Sequence, residues 1–184
     1  MDEVVLAQDS GRKLRLHFYW SDPDSLAAPA AYDFLHSHRW HFASAVVLGQ
    51  LRHGIAHVSD NGHGVRATRV QSWARSEDRS QAQHTEEVVL QEDADVEVPA
   101  GSTYVMPRSV IHTIPKRMAA APGYRGCVTL MLTERTGDPY SWRYIPLGTT
   151  EIKPRVEPVT TEFVAACLGL VLAGDLPLHR PTGT

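Results

Sequence analysis

The sequence predicts an all-β domain with one helix near its C-terminus. Two observations support this prediction. Most of the chain divides into short segments rich in β-branched and aromatic residues, which Gly, Pro or acidic turn residues separate. A longer apolar segment with helix start and stop signals follows only after Pro158. Because 184 residues fit one domain, we expect residues 1–184 to form a single domain with a strand-rich core at about 12–148.

The first predicted strand covers residues 12–20. Its side chains alternate between apolar Leu14, Leu16 and Phe18 and polar Lys13, Arg15 and His17. A period of two is typical of a strand with one buried and one exposed face. We therefore expect the three polar side chains to face solvent.

Strand-forming sequence continues over residues 34–58, with interruptions near Gly49 and Gly54. The segment SDNGHG at 59–64 has an Asn-Gly pair at its centre, which predicts a hairpin whose return strand covers 65–74. Further short strands are predicted at 86–91, 95–98, 103–106, 110–114 and 126–133. Many short strands with turn residues between them favour a sandwich or a barrel.

The C-terminal helix is predicted at about residues 160–173. Thr160 or Thr161 can cap its first turn, and Gly174 is a stop signal. This helix is expected to pack on the outside of the strands or at a dimer contact. The charged segment 75–84 is predicted as a solvated loop, and the segment 116–126 as a loop that is either a lid or inert surface.

Composition narrows the range of functions. The chain has 18 Lys and Arg against 21 Asp and Glu, and its basic residues are scattered, so a nucleic-acid partner is not expected. The acidic N-terminus lacks the features of a secretory signal, which predicts a cytoplasmic protein. The longest apolar run, 163–173, is too short for a membrane span. The widely spaced Cys127 and Cys167 are predicted to be reduced core residues.

The histidines are the main chemical signal, because the chain contains 10 of them. His36 and His38 are two residues apart in a predicted strand, so both rings are expected on one face. A third ligand must come from elsewhere, and His112 follows a tight turn that returns the chain toward an adjacent strand. Three imidazoles leave open metal positions, as catalytic sites do. The alternative is that these are ordinary surface or core histidines.

A resemblance to the cupin superfamily supports the metal site. The segment GSTYVMPRSVIH is similar to the second cupin motif, G(x)5PxG(x)2H(x)3N. Gly101, Pro107 and His112 keep the spacing of that motif. Ser109 stands in the second glycine position and Lys116 in the asparagine position.

The segment HSHRWHFAS resembles the first cupin motif, G(x)5HxH(x)3-4E(x)6G. His36, His38 and Gly49 match it, and alanine occupies the first glycine position. Phe42 or Ala43 stands where cupins have a glutamate that is often the fourth metal ligand. This departure is similar to the three-histidine sites of thiol dioxygenases and diketone-cleaving cupins, and the alternative is an inactive site.

The resemblance covers about residues 12–148 and extends to a group of small bacterial cupins with an HxHxW sequence, to which we assign no activity. It implies a single cupin-type double-stranded β-helix, a jelly-roll barrel with a C-terminal helix. It also implies that His36, His38 and His112 bind one divalent metal. Fe(II) is the metal expected, with Zn, Ni or Mn as alternatives.

Neighbouring residues supply a candidate substrate pocket. Trp40 and Phe42 continue the face of the paired histidines, and Met106 shares a face with Tyr104. Tyr104 is a candidate catalytic residue, as a hydrogen-bond donor to an oxygen atom beside the metal. All four are alternatively barrel core. His41 has the opposite parity and is expected to point away.

The remaining charged residues and histidines have several possible roles in or near the site. A substrate carboxylate is expected to bind an arginine, with Arg52, Arg66, Arg69 and Arg125 as candidates. Glu86 and Glu87 are an alternative source of a metal-binding carboxylate, although a surface position is favoured. His53 and His57, four residues apart in a predicted strand, are expected in surface or core roles.

These observations favour a mononuclear non-haem iron oxygenase or dioxygenase. Its partners would be dioxygen and a small polar substrate. Two alternatives stay open: a non-redox isomerase or lyase that uses zinc, nickel or manganese, and a non-catalytic cupin that binds a small ligand. A homodimer formed through edge strands is also expected.

Overall fold

The computed structural model describes residues 2–20, 34–73, 85–114, 126–135, 140–149 and 160–175. Its strands are β1 Asp2–Gln8, β2 Arg12–Tyr19, β3 Leu35–His36, β4 Trp40–Val58, β5 Val65–Trp73, β6 Thr85–Pro99, β7 Thr103–Met106, β8 Ile111–Thr113, β9 Cys127–Arg135 and β10 Tyr140–Pro146, and helix α1 is Thr161–Ala173. Every strand pairing between described residues is antiparallel. The predicted all-β architecture with a C-terminal helix is confirmed. The predicted loop 75–84 and the predicted lid up to residue 125 lie outside the described residues.

Strand β4 connects the two halves of the fold. Its first half pairs with β7 and β9, and its second half pairs with β6 and β8. The change of partner occurs at Gly49, whose φ is 72°. A Cβ at this position would overlap the carbonyl oxygen of Gly126, so glycine is required by both conformation and space. The interruption expected at Gly54 is wrong, because this residue pairs with Asp95 and Thr113 within the continuous strand.

The strand pairings form a closed circuit. The order β4, β6, β5, β10, β3, β8 returns to β4, because β8 pairs with both β3 and β4. On the other side of β4, strands β9, β2 and β1 continue the sheet to an edge at β1. This topology places β3 and β8, which carry two of the three candidate ligands, next to each other.

The predicted hairpin between β4 and β5 is wrong. Strand β6 lies between them, since Leu90 pairs with both Val58 and Val65. The segment 59–64 instead crosses the end of β6, where Gly64 packs so closely against Leu90 that a Cβ would overlap its carbonyl oxygen. The turn chemistry is present, with Gly62 at φ 74°. A local turn signal does not reveal a strand inserted from a distant part of the chain.

Helix α1 covers one face of β2. The Thr160 side chain accepts a hydrogen bond from the Phe163 amide at 3.2 Å, and Gly174 ends the helix in the left-handed conformation, as their residue types predict. Phe163 and Cys167 are buried against Leu16 and Phe18. The expected packing of the helix on the outside of the strands is confirmed. Among the described residues, no helix has the length and apolar character needed to cross a membrane.

The opposite face of β2 is exposed at Lys13, as predicted, but it is buried at Arg15 and His17, where the prediction is wrong. Arg15 and His17 are only 8% and 5% exposed. Strand β1, which the sequence did not predict, pairs with β2 and brings Glu3 opposite His17. A charged side chain can be buried where an opposite charge accompanies it, so charge alone is an unreliable sign of exposure.

Candidate metal centre

Three histidine rings meet at one point of the structure. The closest ring nitrogens of His36, His38 and His112 all lie within 4.8 Å of one another. The Nε2 atoms of His38 and His112 are 2.8 Å apart, and the ring centroids of His36 and His112 are 4.6 Å apart. The structure thus brings together the three histidines that the sequence selected.

Strand pairing positions two of these rings. His36 lies directly opposite His112 in the β3–β8 pairing, and His112 is also opposite Ile55 of β4. Directly opposed residues of antiparallel strands project from the same face. His36 and His112 therefore share a face because of backbone register.

His38 reaches the cluster in a different way from that expected. It lies after β3 and before β4, so the prediction that both histidines belong to one strand is wrong. Backbone hydrogen bonds from Ser37 to Trp142 (2.9 Å) and from His38 to Arg108 (3.1 Å) hold this connection. The His38 ring is nevertheless 4.9 Å from that of His36.

The local contacts suit His36 for metal binding. Its Nδ1 donates a hydrogen bond to the carbonyl oxygen of Phe34 at 3.0 Å, which leaves the Nε2 lone pair for a ligand. Burial of the ring lowers the pKa of His36, and Arg143 adds to this effect. The neutral ring, which is the form that binds metal, is therefore favoured.

His112 has a buried histidine behind it. The Nδ1 atoms of His112 and His53 are 3.1 Å apart, and His53 is 2% exposed. When His112 donates from Nδ1, its Nε2 is available for a metal. Burial lowers the pKa of His53 to about 4, so this ring is neutral and can accept that hydrogen bond.

The sequence did not single out His53 as part of the site. The four-residue spacing of His53 and His57 suggested only surface or core roles. His57 is exposed and contacts Asp93 at 2.7 Å. Strand parity places His53 on the same face as Ile55, which is opposite His112. That signal becomes usable only when the β4–β8 register is known. His41 is exposed and its Nδ1 accepts from the Arg108 amide at 3.3 Å, as its parity predicts.

Aromatic residues border the histidines. The Phe42 ring is 2% exposed and lies 4.9 Å from that of His38, and the Trp40 ring is 6.1 Å from the same histidine. Met106 is in register with Phe42 and packs against it. These contacts give the cluster an apolar border, while a role in substrate binding stays a prediction.

Tyr104 lies near this border. Its ring is 6.1 Å from Phe42 and 5.0 Å from His53. Burial raises the pKa of Tyr104 to about 12, so the phenol stays protonated near neutral pH and can act as a donor. Its catalytic role stays a prediction.

The arginines expected to anchor a carboxylate have other partners. Three of them pair with acidic residues of β6, namely Arg52 with Asp95 at 2.5 Å, Arg66 with Glu87 at 2.6 Å, and Arg69 with Glu86. Arg125 lies outside the described residues. Glu86 and Glu87 thus contact arginines of β5, and neither belongs to the histidine cluster.

The cluster can be tested against the known geometry of metal sites. Metal–nitrogen bonds of about 2.1 Å at right angles place two ligand nitrogens about 3 Å apart. The 2.8 Å between His38 Nε2 and His112 Nε2 is close to that value. No carboxylate of the described residues joins the cluster, so the donor set is three imidazoles, which suit zinc, iron, nickel and copper.

Comparisons with known proteins do not assign the chain to a family. No protein-family model and no curated protein matches it. The candidate metal centre therefore depends on the sequence pattern and the geometry.

Proposed function

We propose that the chain is a metal-dependent enzyme of the cupin type, specifically a mononuclear non-haem iron oxygenase that acts on a small polar substrate. The observation that carries this proposal is the convergence of His36, His38 and His112, which no carboxylate of the described segments joins. Three protein ligands leave positions free on a metal, whereas a structural site closes its coordination sphere.

The fold supports the cupin part of the proposal. The antiparallel strands include a closed circuit of six, which is compatible with a barrel-like β fold. His36 and His112 lie on adjacent strands of that circuit. Both also belong to the segments that resemble the two cupin motifs.

The residues around the centre have defined roles in the proposed enzyme. His36, His38 and His112 would hold Fe(II), which when bound supplies the redox chemistry with dioxygen. Phe42 and Trp40 exclude water from the side of the cluster that they cover. A small polar substrate would bind at the metal positions that the three histidines leave free.

Metal content is the direct test of the centre. Protein purified without oxygen should contain close to one equivalent of iron by elemental analysis, and His36→Ala should lose most of it. His57→Ala is the matched control, because His57 is an exposed histidine paired with Asp93. Equal iron contents in all three proteins would exclude His36 as a ligand.

The oxygenase assignment needs a second test, because the same ligands suit zinc. Nitric oxide mimics dioxygen, and its binding to Fe(II) gives a half-integer-spin electron paramagnetic resonance signal. We expect this signal in the iron-loaded protein and its loss in His112→Ala. An iron-loaded protein that gives no such signal has no open position for dioxygen, which would contradict an oxygenase.

A further inference from the structure

A buried polar cluster on β2 lies beside the candidate metal centre. Arg15 and His17 project from the same face of the strand and are at least nine-tenths buried. The guanidinium carbon of Arg15 lies 5.2 Å from the Trp40 ring centroid, and that ring is 6.1 Å from His38. Trp40 therefore contacts both the polar cluster and the histidines.

Protein groups satisfy part of this cluster. One carboxylate oxygen of Glu3 accepts from Arg15 Nη1 and from His17 Nε2, each at 3.1 Å. Arg15 Nη2 donates to the Thr133 hydroxyl at 2.9 Å. These contacts orient the guanidinium and the imidazole with respect to β9.

Three polar atoms of the cluster have no hydrogen-bond partner among the described residues. Within the part of the chain that the structure describes, Arg15 Nε, His17 Nδ1 and Thr129 Oγ1 are buried without a hydrogen bond. Thr129 is fully buried and lies directly opposite His17 in the β2–β9 pairing. Buried polar atoms without partners cost free energy, and their occurrence together indicates a polar ligand.

The charge of the region indicates that this ligand is an anion. Arg15 lies beside Trp40, whose ring is next to His38, and a divalent metal would add two positive charges. Among the described residues, Glu3 of β1 is the carboxylate paired with Arg15, and its side chain is 38% exposed. A partly exposed carboxylate offsets only part of the Arg15 charge, so Arg15 together with a bound metal would favour an anion.

We propose that Arg15 and Thr129 form a subsite for the carboxylate group of a small substrate whose other end reaches the metal centre past Trp40. A guanidinium binds a carboxylate through two parallel N–H bonds, and Arg15 has Nε–H available for one of them. The Thr129 hydroxyl supplies a further donor. The inference rests on the proposed metal centre, and it names the substrate class as a small carboxylic acid.

The test compares two ligands of the same shape. Propanoate and propanamide differ in charge, and their affinities for zinc-loaded protein can be measured by isothermal titration calorimetry at constant ionic strength. We expect wild-type protein to bind propanoate more tightly than propanamide, and Arg15→Met to weaken propanoate binding at least about tenfold. Arg12→Met is the matched control, because Arg12 is an exposed arginine of the same strand; its affinity should equal that of wild type.

Thr129→Val provides a second variant that keeps the side-chain shape. It should weaken propanoate binding severalfold without changing propanamide binding. If Arg15→Met does not fold, Thr129→Val alone tests the carboxylate subsite. Equal binding of the two ligands by wild-type protein would overturn the subsite, since water would then satisfy these atoms. Unchanged propanoate affinity in Thr129→Val and in any folded Arg15→Met would overturn it as well.

The same samples separate the two proposals. Zinc content measured on each protein tests the metal centre, and propanoate affinity measured after removal of zinc by a chelator tests the subsite alone. If the protein binds zinc but its propanoate affinity does not depend on Arg15, the subsite is rejected and the metal centre is retained. If propanoate affinity depends on Arg15 but the protein takes up no metal, the metal centre is rejected and the anion subsite is retained.

Discussion

His53 lies beside His112 of the candidate metal centre. Their Nδ1 atoms are 3.1 Å apart, so a neutral His53 can accept from His112 and hold its ring with Nε2 free for a metal. Partners of this kind commonly raise metal affinity without contacting the metal. The surrounding rings of Phe42 and Tyr104 hold this pair in an apolar environment, with Tyr104 5.0 Å from His53 and Phe42 6.3 Å from His112.

Replacement of His53 should therefore weaken metal binding although His53 is not a proposed ligand. We expect His53→Leu to lower zinc affinity by about 10–100-fold, the usual effect of removing such a partner. His53→Gln should retain more affinity, because its amide oxygen can accept from His112. Competition with a chelator measures these affinities. If His53→Leu binds zinc as tightly as wild type, His53 does not position His112.

Glu3 should make stability depend on pH in the acid range. Its hydrogen bond with His17 and the charge of Arg15 lower its pKa from 4.5 to about 2. A carboxyl whose folded pKa is lowered stabilises the fold above its unfolded pKa, and this contribution is lost as pH falls toward the folded pKa. We therefore expect wild-type protein to lose stability between about pH 4.5 and 2, and Glu3→Gln to show a flatter profile there. Thermal unfolding midpoints across this range measure it, and parallel profiles would contradict the Glu3 assignment.

At the scale of elements, β4 determines where the site residues lie. Its first half carries Trp40 and Phe42, and its second half carries His53, so the change of pairing partner at Gly49, here termed the bend, brings both groups to the same cluster. The bend depends on a left-handed backbone at Gly49 and on close approach to Gly126. Gly49, which matches the last glycine of the first motif, is thus required by backbone conformation and packing and not by the metal.

A side chain at this bend should destabilise the protein. Gly49→Ala adds a Cβ in a left-handed conformation, which costs about 1–2 kcal/mol, and also overlaps the Gly126 carbonyl. Gly101→Ala is the control, because Gly101 has φ 84° but no heavy atom within 4 Å of an added Cβ. Denaturant unfolding should show a larger loss for Gly49→Ala than for Gly101→Ala. Equal losses would mean that the contact with Gly126 is easily relieved.

At the scale of the whole molecule, the sequence predicts local features better than distant pairings. The α1 boundaries follow from Thr160 and Gly174, which are local caps, and the three histidines follow from spacing in two motifs. The insertion of β6 between β4 and β5 depends on contacts between distant segments, which no local turn signal contains. Arg15 was assigned to the exposed face for the same reason, since the strand that neutralises it is recognisable only by its pairing.

The position of β1 has a consequence for dynamics. Among the described strands, β1 pairs with β2 alone, yet it supplies Asp2, which accepts from Trp20 Nε1 at 2.5 Å, and Glu3, which contacts Arg15. Edge strands open more easily than strands paired on both sides. If a carboxylate in the proposed subsite draws Arg15 away from Glu3, it would loosen β1, and by thermodynamic reciprocity detachment of β1 would strengthen anion binding. Hydrogen exchange at the β1 amides would then report, at the edge strand, whether the proposed subsite is occupied.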